Sequence, residues 1–356
     1  MAFLYKIFVL NIGSTSTKLA CFENLKLIAK DNLVFEKKRI SLQDRLVEQI
    51  PGRKKQIYDF IRQNGIDLKK IDILVSRGGI GAPVPGGVYE INDAMCRDLR
   101  EERYGRHDSG LGPLIASEIA LKYRIRAIVI DPPSTDEFHL LARFSGNPEI
   151  KRESAFHALN QKAAARRVAA SMGSSYQKLN LIVAHLGGGI TIGAHVKGIV
   201  IDSTHGLSEG PFTPQRAGSL PTLPLLGLTG EKDISSTRDL LVGSSGLRAY
   251  LDTADARAVE AMINQGNEQA KRVYEAMAYQ IAKDIGAMAT VMKGAVDGIV
   301  ITGGLAHSTM LVKWIKERAE FIGKISVLPG EDELLALAEG GMRILTGKEP
   351  VKDYPQ

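Results

Sequence analysis

Two short loops of small residues, each wedged between apolar runs, open the two halves of this chain. The first is Asn11-Ile12-Gly13-Ser14-Thr15-Ser16-Thr17-Lys18, between FVL and LACF. The second is His185-Leu186-Gly187-Gly188-Gly189-Ile190-Thr191, between LIVA and IGAHV. The same succession of patterns follows each. In the first half, β runs at Tyr5–Leu10, Leu19–Phe22 and Leu25–Phe35 precede a helical region over Leu42–Gln63, expected to break near Pro51 and Gly52. A strand at Ile71–Val75, helices across Asp93–Tyr104 and Pro113–Lys122, and a strand at Ala127–Ile130 complete that half. In the second, β runs at Leu179–Ala184, Ile190–Val196 and Gly198–Ile201 precede helices at Ala254–Asn264 and Glu268–Lys293. A strand at Gly298–Thr302, a helix near Met310–Ile322, a strand at Ile325–Leu328 and a helix from Glu331 to about Leu345 close the chain. The order βββαβαβ, used twice, is a duplication of structure rather than of residues. It predicts two related α/β domains facing one another across a cleft.

At 356 residues, with 44% apolar and 24% charged side chains, the chain is long enough for two cores and is not disordered. Cys21 and Cys96 show no metal or redox spacing, which fits a reducing cytoplasm. The opening MAFLYKIFVL is interrupted by Lys6 and followed by no small-residue cleavage site, so a first strand is expected there rather than a leader. No apolar run approaches the ~20 residues needed to span a bilayer. Net charge is +6, with basic clusters at Lys37-Lys38-Arg39, Arg53-Lys54-Lys55 and Arg166-Arg167. A nucleic-acid surface would interleave aromatics with such groups, yet aromatics are only 6%. The clusters are expected to be solvated helix faces, with neither nucleic acid nor membrane as partner. A mild positive balance also suits a polyanionic small substrate such as ATP.

Neither loop is a Walker A or a GxGxxG opening a helix, because another strand follows each. Hairpins of this composition turn backbone N–H groups and hydroxyls toward one point, and glycine lets an anion approach closely. Ser14, Ser16 and Lys18 fall on one side of the turn and outgoing strand, in reach of a γ-phosphate or a metal-bound water, with Asn11 as an amide donor. A polar hairpin with surface hydroxyls is the plain alternative. A third glycine element, Ile301-Thr302-Gly303-Gly304-Leu305-Ala306, lies at a strand end before a helix, placed to admit adenosine. The stretch Ser203–Gly230, dense in Gly, Pro, Ser and Thr, is expected as a cleft-lining loop that carries Arg216.

The N-x-G-S-x-S-x-K loop, the HLGGG loop, the Phe156-His157 pair and the TGG element together resemble the acetokinase family, within the larger ATPase group of actin, sugar kinases and heat-shock chaperones. Ser76-Arg77-Gly78-Gly79 with Ala82-Pro83-Val84-Pro85-Gly86-Gly87, Arg106–Gly112 and Pro329-Gly330-Glu331-Asp332-Glu333 resemble its butyrate-directed branch. The resemblance implies α/β architecture with two duplicated ribonuclease H-like domains (βββαβαβα). These would be residues 1–155, with the C-terminal helix region 334–356 packed on them, and residues 156–333, which would bind nucleotide and dimerise.

The implied reaction is reversible transfer of the ATP γ-phosphoryl group, with Mg²⁺, to a short or branched fatty acid such as butyrate. A carboxylate is already anionic and needs no general base. The difficulty is bringing two anions together, so positive charge and positioning carry the catalysis. The resemblance makes Arg77 and Arg216 the catalytic arginines and His157 a hydrogen-bond donor to the transferring group. It gives Asp131 the task of orienting an arginine or a magnesium-bound water, and places Arg77, His107 and Pro85 at the acyl group. Asn11, Gly13, Ser14, Ser16, Lys18, His185, Gly187, Gly188, Gly189, Gly303 and Gly304 would bind nucleotide, while Asn11 and either Asp332 or Glu333 would serve the metal. His139, His195, His205 and His307 receive no role. Acetate, propionate or isobutyrate are alternative acceptors. A sugar kinase would use Asp131 as base on a hydroxyl, and an actin- or chaperone-like ATPase would need no acceptor.

Overall fold

The computed structural model describes residues 3–35, 46–231 and 233–355, with two units: Met1–Asp136 joined by Asp332–Gln356, and Glu137–Glu331. The first opens with β1 (Lys6–Ile12), β2 (Ser16–Glu23) and β3 (Lys26–Val34), then α1 (Ile50–Gln63), β4 (Ile73–Ser76), β5 (Val88–Glu90), α2 (Asp93–Arg100), α3 (Leu111–Tyr123) and β6 (Arg126–Ile130). The second runs through α4 (Ala158–Ser171), β7 (Asn180–Leu186), β8 (Ile190–Val196), β9 (Ile199–Ser203), α5 (Thr222–Glu231), α6 (Ile234–Gly243), α7 (Leu247–Leu251), α8 (Ala256–Asn264), α9 (Glu268–Val291), β10 (Gly298–Gly303), α10 (Thr309–Ala319) and β11 (Ile325–Pro329). The chain then returns to the first unit as α11 (Glu333–Leu345) and β12 (Val351–Lys352).

The duplication is visible in strand order. The second unit's sheet runs β11-β10-β7-β8-β9, and the first unit's contains β6-β4-β1-β2-β3 with β5 and β12 added at one edge. Pairing matches as well: the hairpins β1–β2 and β7–β8 are antiparallel, while β1–β4, β4–β6, β7–β10 and β10–β11 are parallel. Central strands buried on both faces need nearly unbroken apolar runs, which FVL and LIVA supply.

Each sheet is covered on one face by helices of its own half. Phe8, Leu10, Leu19 and Leu74 form one core with Ile57 and Phe60 of α1 and Ile115 and Ile119 of α3. Ile182, Ala184, Ile299 and Ile301 do the same with α9 and α10. The opposite face is covered in the first unit by a helix from the far end of the chain and in the second by the helix just before its first strand. α11 lies on β1 and β4, and α4 lies on β7 and β10. Both are built for close approach. A Cβ on Gly340 would sit 2.0 Å from Ile130 Cδ1 and one on Gly341 3.0 Å from Val75 Cγ2, while α4 presents Ala164, Ala165 and Ala169.

Several expectations are amended. Pro51 does not break the first helix but occupies its first turn, where its missing N–H costs nothing. The region expected to start at Leu42 begins outside the described residues, as does the Lys37–Arg39 cluster. α5 lies inside the stretch expected to be loop. Arg53 is fully buried, not part of a solvated face, because it shares the inward face of α1 with Ile57, Phe60 and Ile61. The units divide at Asp136/Glu137 rather than at 155/156. Residues 137–155 are fastened to the second unit through the buried Glu137–Lys162 pair (2.8 Å) and the bidentate Arg152–Glu209 contact. Among the described residues, no helix is long and apolar enough to cross a membrane.

Candidate functional site

In the first unit, the turn between β1 and β2 closes with Gly13 N–H donating to the Ser16 carbonyl at 2.9 Å. Side chains then alternate along β2. Thr17 points into the core, and Ser16 and Lys18 leave on the other face. Arg53 fixes the turn from within, donating to the Gly13 and Ser14 carbonyls (2.9 and 3.3 Å), to Thr17 Oγ1 (2.9 Å) and to Gln49 Oε1 (3.3 Å). Its guanidinium stacks on Phe35, and burial pulls its pKa down to about 10. Ser14 itself is exposed at the tip.

Glu333 gathers three of the expected residues. Asn11 Nδ2 donates to its Oε2 at 2.7 Å, Arg77 Nη1 lies 3.2 Å from Oε1, and Lys18 Nζ lies 3.8 Å from Oε2. Its neighbour Asp332 does something else, accepting from Leu335 N–H to cap α11.

Arg77 leaves the end of β4 with its N–H still bonded to the Leu10 carbonyl. The glycines after it explain why the motif reads RGG. A Cβ on Gly78 would meet Pro132 Cβ at 2.6 Å, and one on Gly79 would meet Gly110 Cα at 2.6 Å. The three motifs around Arg77, Asp131 and His107 therefore interlock. Asp131 is buried at φ +39°, a strained conformation for a non-glycine residue, and its Oδ1 accepts from Gly87 N–H at 2.8 Å. It thus anchors the loop that carries Pro85. His107 is exposed, with Nδ1 held by Ser109 Oγ at 2.8 Å. Sequence reasoning missed the outer support of this loop. Tyr354, buried near the C-terminus, bonds Ala82 N–H and donates to Asp98 Oδ2 (3.0 Å), and Lys352 donates to the Gly86 carbonyl (2.7 Å).

In the second unit, the HLGGG turn closes with Gly187 N–H on the Gly189 carbonyl. Thr213 Oγ1 donates to the Gly188 carbonyl (2.8 Å) and accepts from the N–H of Arg216 (3.0 Å), tying the long loop to the turn. The Arg216 guanidinium packs directly on Gly189, where a Cβ would lie 2.3 Å from Nη1, and it donates to the Gly206 carbonyl. Burial lowers its pKa, and among the described residues no carboxylate pairs with it. Such a cation, beside a turn of backbone amides, is placed to receive an anion.

His185 is buried, with Nε2 3.1 Å from Glu331 Oε1, and its ring stacks on that of His157 at 4.2 Å between centroids. Gly303 (φ +93°) presses on the Leu186 backbone, so the TGG element abuts the HLGGG turn. Gly304 lines a cavity of about 640 Å³ within this unit, as do Gly187 and Gly188. Asp255, Arg257 and Glu260 line it too, and sequence reasoning overlooked them. Their only signal is position after the Gly/Pro-rich stretch. Tyr274 holds Glu260 there through its hydroxyl (3.1 Å).

The expected residues thus fall into two sets, one in each unit. Asn11, Gly13, Ser14, Ser16, Lys18, Arg77, Pro85, His107, Asp131, Asp332 and Glu333 lie in the first. His157, His185, Gly187, Gly188, Gly189, Arg216, Gly303 and Gly304 lie in the second.

Among solved structures, the chain is similar to acetate kinase from Porphyromonas gingivalis, with 20% identity and a TM-score of 0.78 over 96% of this chain and all of that one. It is similar to a propionate kinase from Francisella tularensis subsp. tularensis SCHU S4 (19%, TM-score 0.75, 95% and 99% covered) and to acetate kinase from Entamoeba histolytica (18%, 0.75, 94% and 98%). These likenesses show the same two-domain α/β fold. The acetokinase family pattern itself matches residues 134–332, more than half of the chain. The chain therefore belongs to the acetokinase family, whose members are kinases that phosphorylate carboxylates.

Proposed function

We propose that this protein transfers the ATP γ-phosphoryl group reversibly to butyrate or a closely similar short or branched fatty acid, giving ADP and an acyl phosphate by direct in-line transfer. The observation that carries this reading is the seating of Arg216 on Gly189, a half-buried cation beside the phosphate-type turn with a backbone carbonyl as partner. In the first unit, Arg77 is the matching cation for the acceptor carboxylate, and the wall Ala82-Pro83-Val84-Pro85 beside it is the apolar surface for the acyl chain. His157 donates to the transferring phosphoryl. The second-unit cavity takes the adenosine, with Gly304 in its lining and Gly303 just before it. A sugar kinase is disfavoured because the candidate base Asp131 spends Oδ1 on Gly87 N–H.

The donor set also fits Mg²⁺. Among the described residues no three His, Cys, Asp or Glu side chains form a cage. The hard oxygens at hand are the Glu333 carboxylate and the Asn11 amide, which suits a cation that keeps most of its waters and leans on phosphate. When bound there, Mg²⁺ supplies charge neutralisation at the phosphates. Self-association belongs to the same proposal, supported by the exposed Leu220 just before α5, Leu223 and Leu226 on α5, and Ile234 at the start of α6.

Butyrate, MgATP and hydroxylamine are expected to yield acyl hydroxamate, and kcat/KM across C2 to C6 acids should peak at C4. Absence of hydroxamate with every short acid overturns the reading, and a peak at C2 or C3 moves the acceptor to acetate or propionate. One methylene is worth about 0.8 kcal/mol, roughly fourfold, so the series resolves neighbours. Tyr354→Phe removes the hydroxyl that holds Ala82 and Asp98. It should raise KM for the carboxylate about fivefold, for roughly 1 kcal/mol of lost anchoring, and leave KM for MgATP unchanged.

A further inference from the structure

The face of β8 turned toward α4 carries a column of polar groups. Thr191, Gly193 and His195 alternate along it, and on α4 His157 and Gln161 stand one turn apart. Thr191, Gln161 and His195 are completely buried. They form an unbroken chain. Tyr176 Oη lies 2.7 Å from His195 Nδ1, His195 Nε2 lies 2.9 Å from Gln161 Oε1, and Gln161 Nε2 lies 2.8 Å from Thr191 Oγ1 and 3.1 Å from the Thr191 carbonyl. Thr191 Oγ1 in turn lies 2.8 Å from His157 Nδ1.

Donor and acceptor chemistry permits one direction along this chain. The Thr191 carbonyl can only accept, so the amide nitrogen of Gln161 must face it and the amide oxygen must face His195. That oxygen only accepts, so His195 carries its proton on Nε2 and takes the Tyr176 hydroxyl proton on Nδ1. Thr191 Oγ1 already accepts from Gln161, and its single proton has one acceptor in reach, His157 Nδ1. The His157 proton is thereby placed on Nε2. Gly193 is part of the construction, since a Cβ there would lie 2.5 Å from Gln161 Oε1 and 3.1 Å from His195 Nε2.

We propose that Tyr176, His195, Gln161 and Thr191 are positioning residues that lock His157 in the tautomer with Nε2–H, making that atom an obligate hydrogen-bond donor to an anionic oxygen. The role of that donor rests on the phosphotransfer reading above; the tautomer does not. The polarity matters because the opposite tautomer would turn a lone pair toward a phosphoryl oxygen and repel it.

The test is long-range ¹H–¹⁵N spectroscopy of the full chain labelled at histidine, with the His157 signals identified through His157→Gln. A pyrrole-type Nε2 and a pyridine-type Nδ1 are expected, retained in Thr191→Ser and lost to a tautomer mixture in Thr191→Val. In kinetics, Thr191→Val should lower kcat between ~10-fold and ~100-fold with KM for MgATP within about twofold, and Thr191→Ser should restore most of it. Should Thr191→Val fail to fold, Tyr176→Phe, at the far end of the chain, is expected to show the same signature in weaker form. A proton on Nδ1 of His157 in the unsubstituted protein overturns the proposal, as does unchanged turnover and tautomer in both variants. The expected tautomer in a protein whose turnover ignores His157→Ala supports the relay and overturns only the phosphoryl role.

Discussion

Arg77→Ala is expected to bind MgATP with a Kd within about threefold of the unsubstituted protein and to turn over at least about a thousandfold more slowly. The size follows from charge. At an effective dielectric near 20, a unit charge about 4 Å from an anion contributes about 4 kcal/mol, or roughly three decades of rate. The substitution also removes the cation 3.2 Å from Glu333 Oε1, leaving Lys18 Nζ at 3.8 Å from Oε2. A less fully compensated carboxylate would then add repulsion to the two substrate anions of the proposed reaction. Nucleotide binding should survive because the cavity proposed for the adenosine is lined wholly by second-unit residues. Arg77→Lys should recover only part of the rate, for lysine keeps the charge but loses the planar fork. Calorimetry for MgATP and a coupled assay for ADP separate the two effects, and a near-normal kcat in Arg77→Ala would remove this residue from the mechanism.

Gly303→Ala should be severely damaging to the second unit. At φ +93° an L side chain is strained, and its Cβ would fall 2.3 Å from the Leu186 carbonyl oxygen and 2.8 Å from the Leu186 nitrogen. The obstacle is backbone, so no rotamer relieves it. Strain and overpacking together amount to about 3 kcal/mol or more, and for a unit of this size the melting midpoint should fall by about 6–12 °C. The displaced partner is the HLGGG turn, so MgATP affinity should fall as well. Gly304→Ala is the control, since nothing lies within 4 Å of its Cβ, and its midpoint should barely move. Equal melting of the two variants would refute the argument.

The frame was legible because two antiparallel hairpins and the parallel strands beside them are written in apolar runs with turn residues between them. Elements of two or three residues were not, and β5 and β12 leave no periodicity to detect. α5 was hidden by the Gly, Pro and Thr content of TLPLLGLTGE, whose Leu-rich surface points outward. The two glycine-rich turns could be read as hairpins from their composition, yet what holds them could not. Arg53 looked like one more surface cation until its spacing with Ile57 and Phe60 placed it indoors. His195 received no role, although it stands two and four residues from Gly193 and Thr191 on one strand face. The acidic run Glu331-Asp332-Glu333 shows the limit of composition. Three adjacent carboxylates meet a histidine, cap a helix and face an arginine, and only the backbone direction separates these tasks.

The chain positions of α11 and α4 bear on how the protein is made. On a ribosome the first unit's sheet emerges early through β6, but the face holding Ile7, Ile73, Val75 and Ile130 stays bare until Glu333–Leu345 has been translated. The later lobe meets no such delay, since α4 precedes the strands it covers. The lobe begun first is therefore the last to mature, and a nascent chain stalled short of α11 exposes a wide apolar sheet to chaperones or to its neighbours.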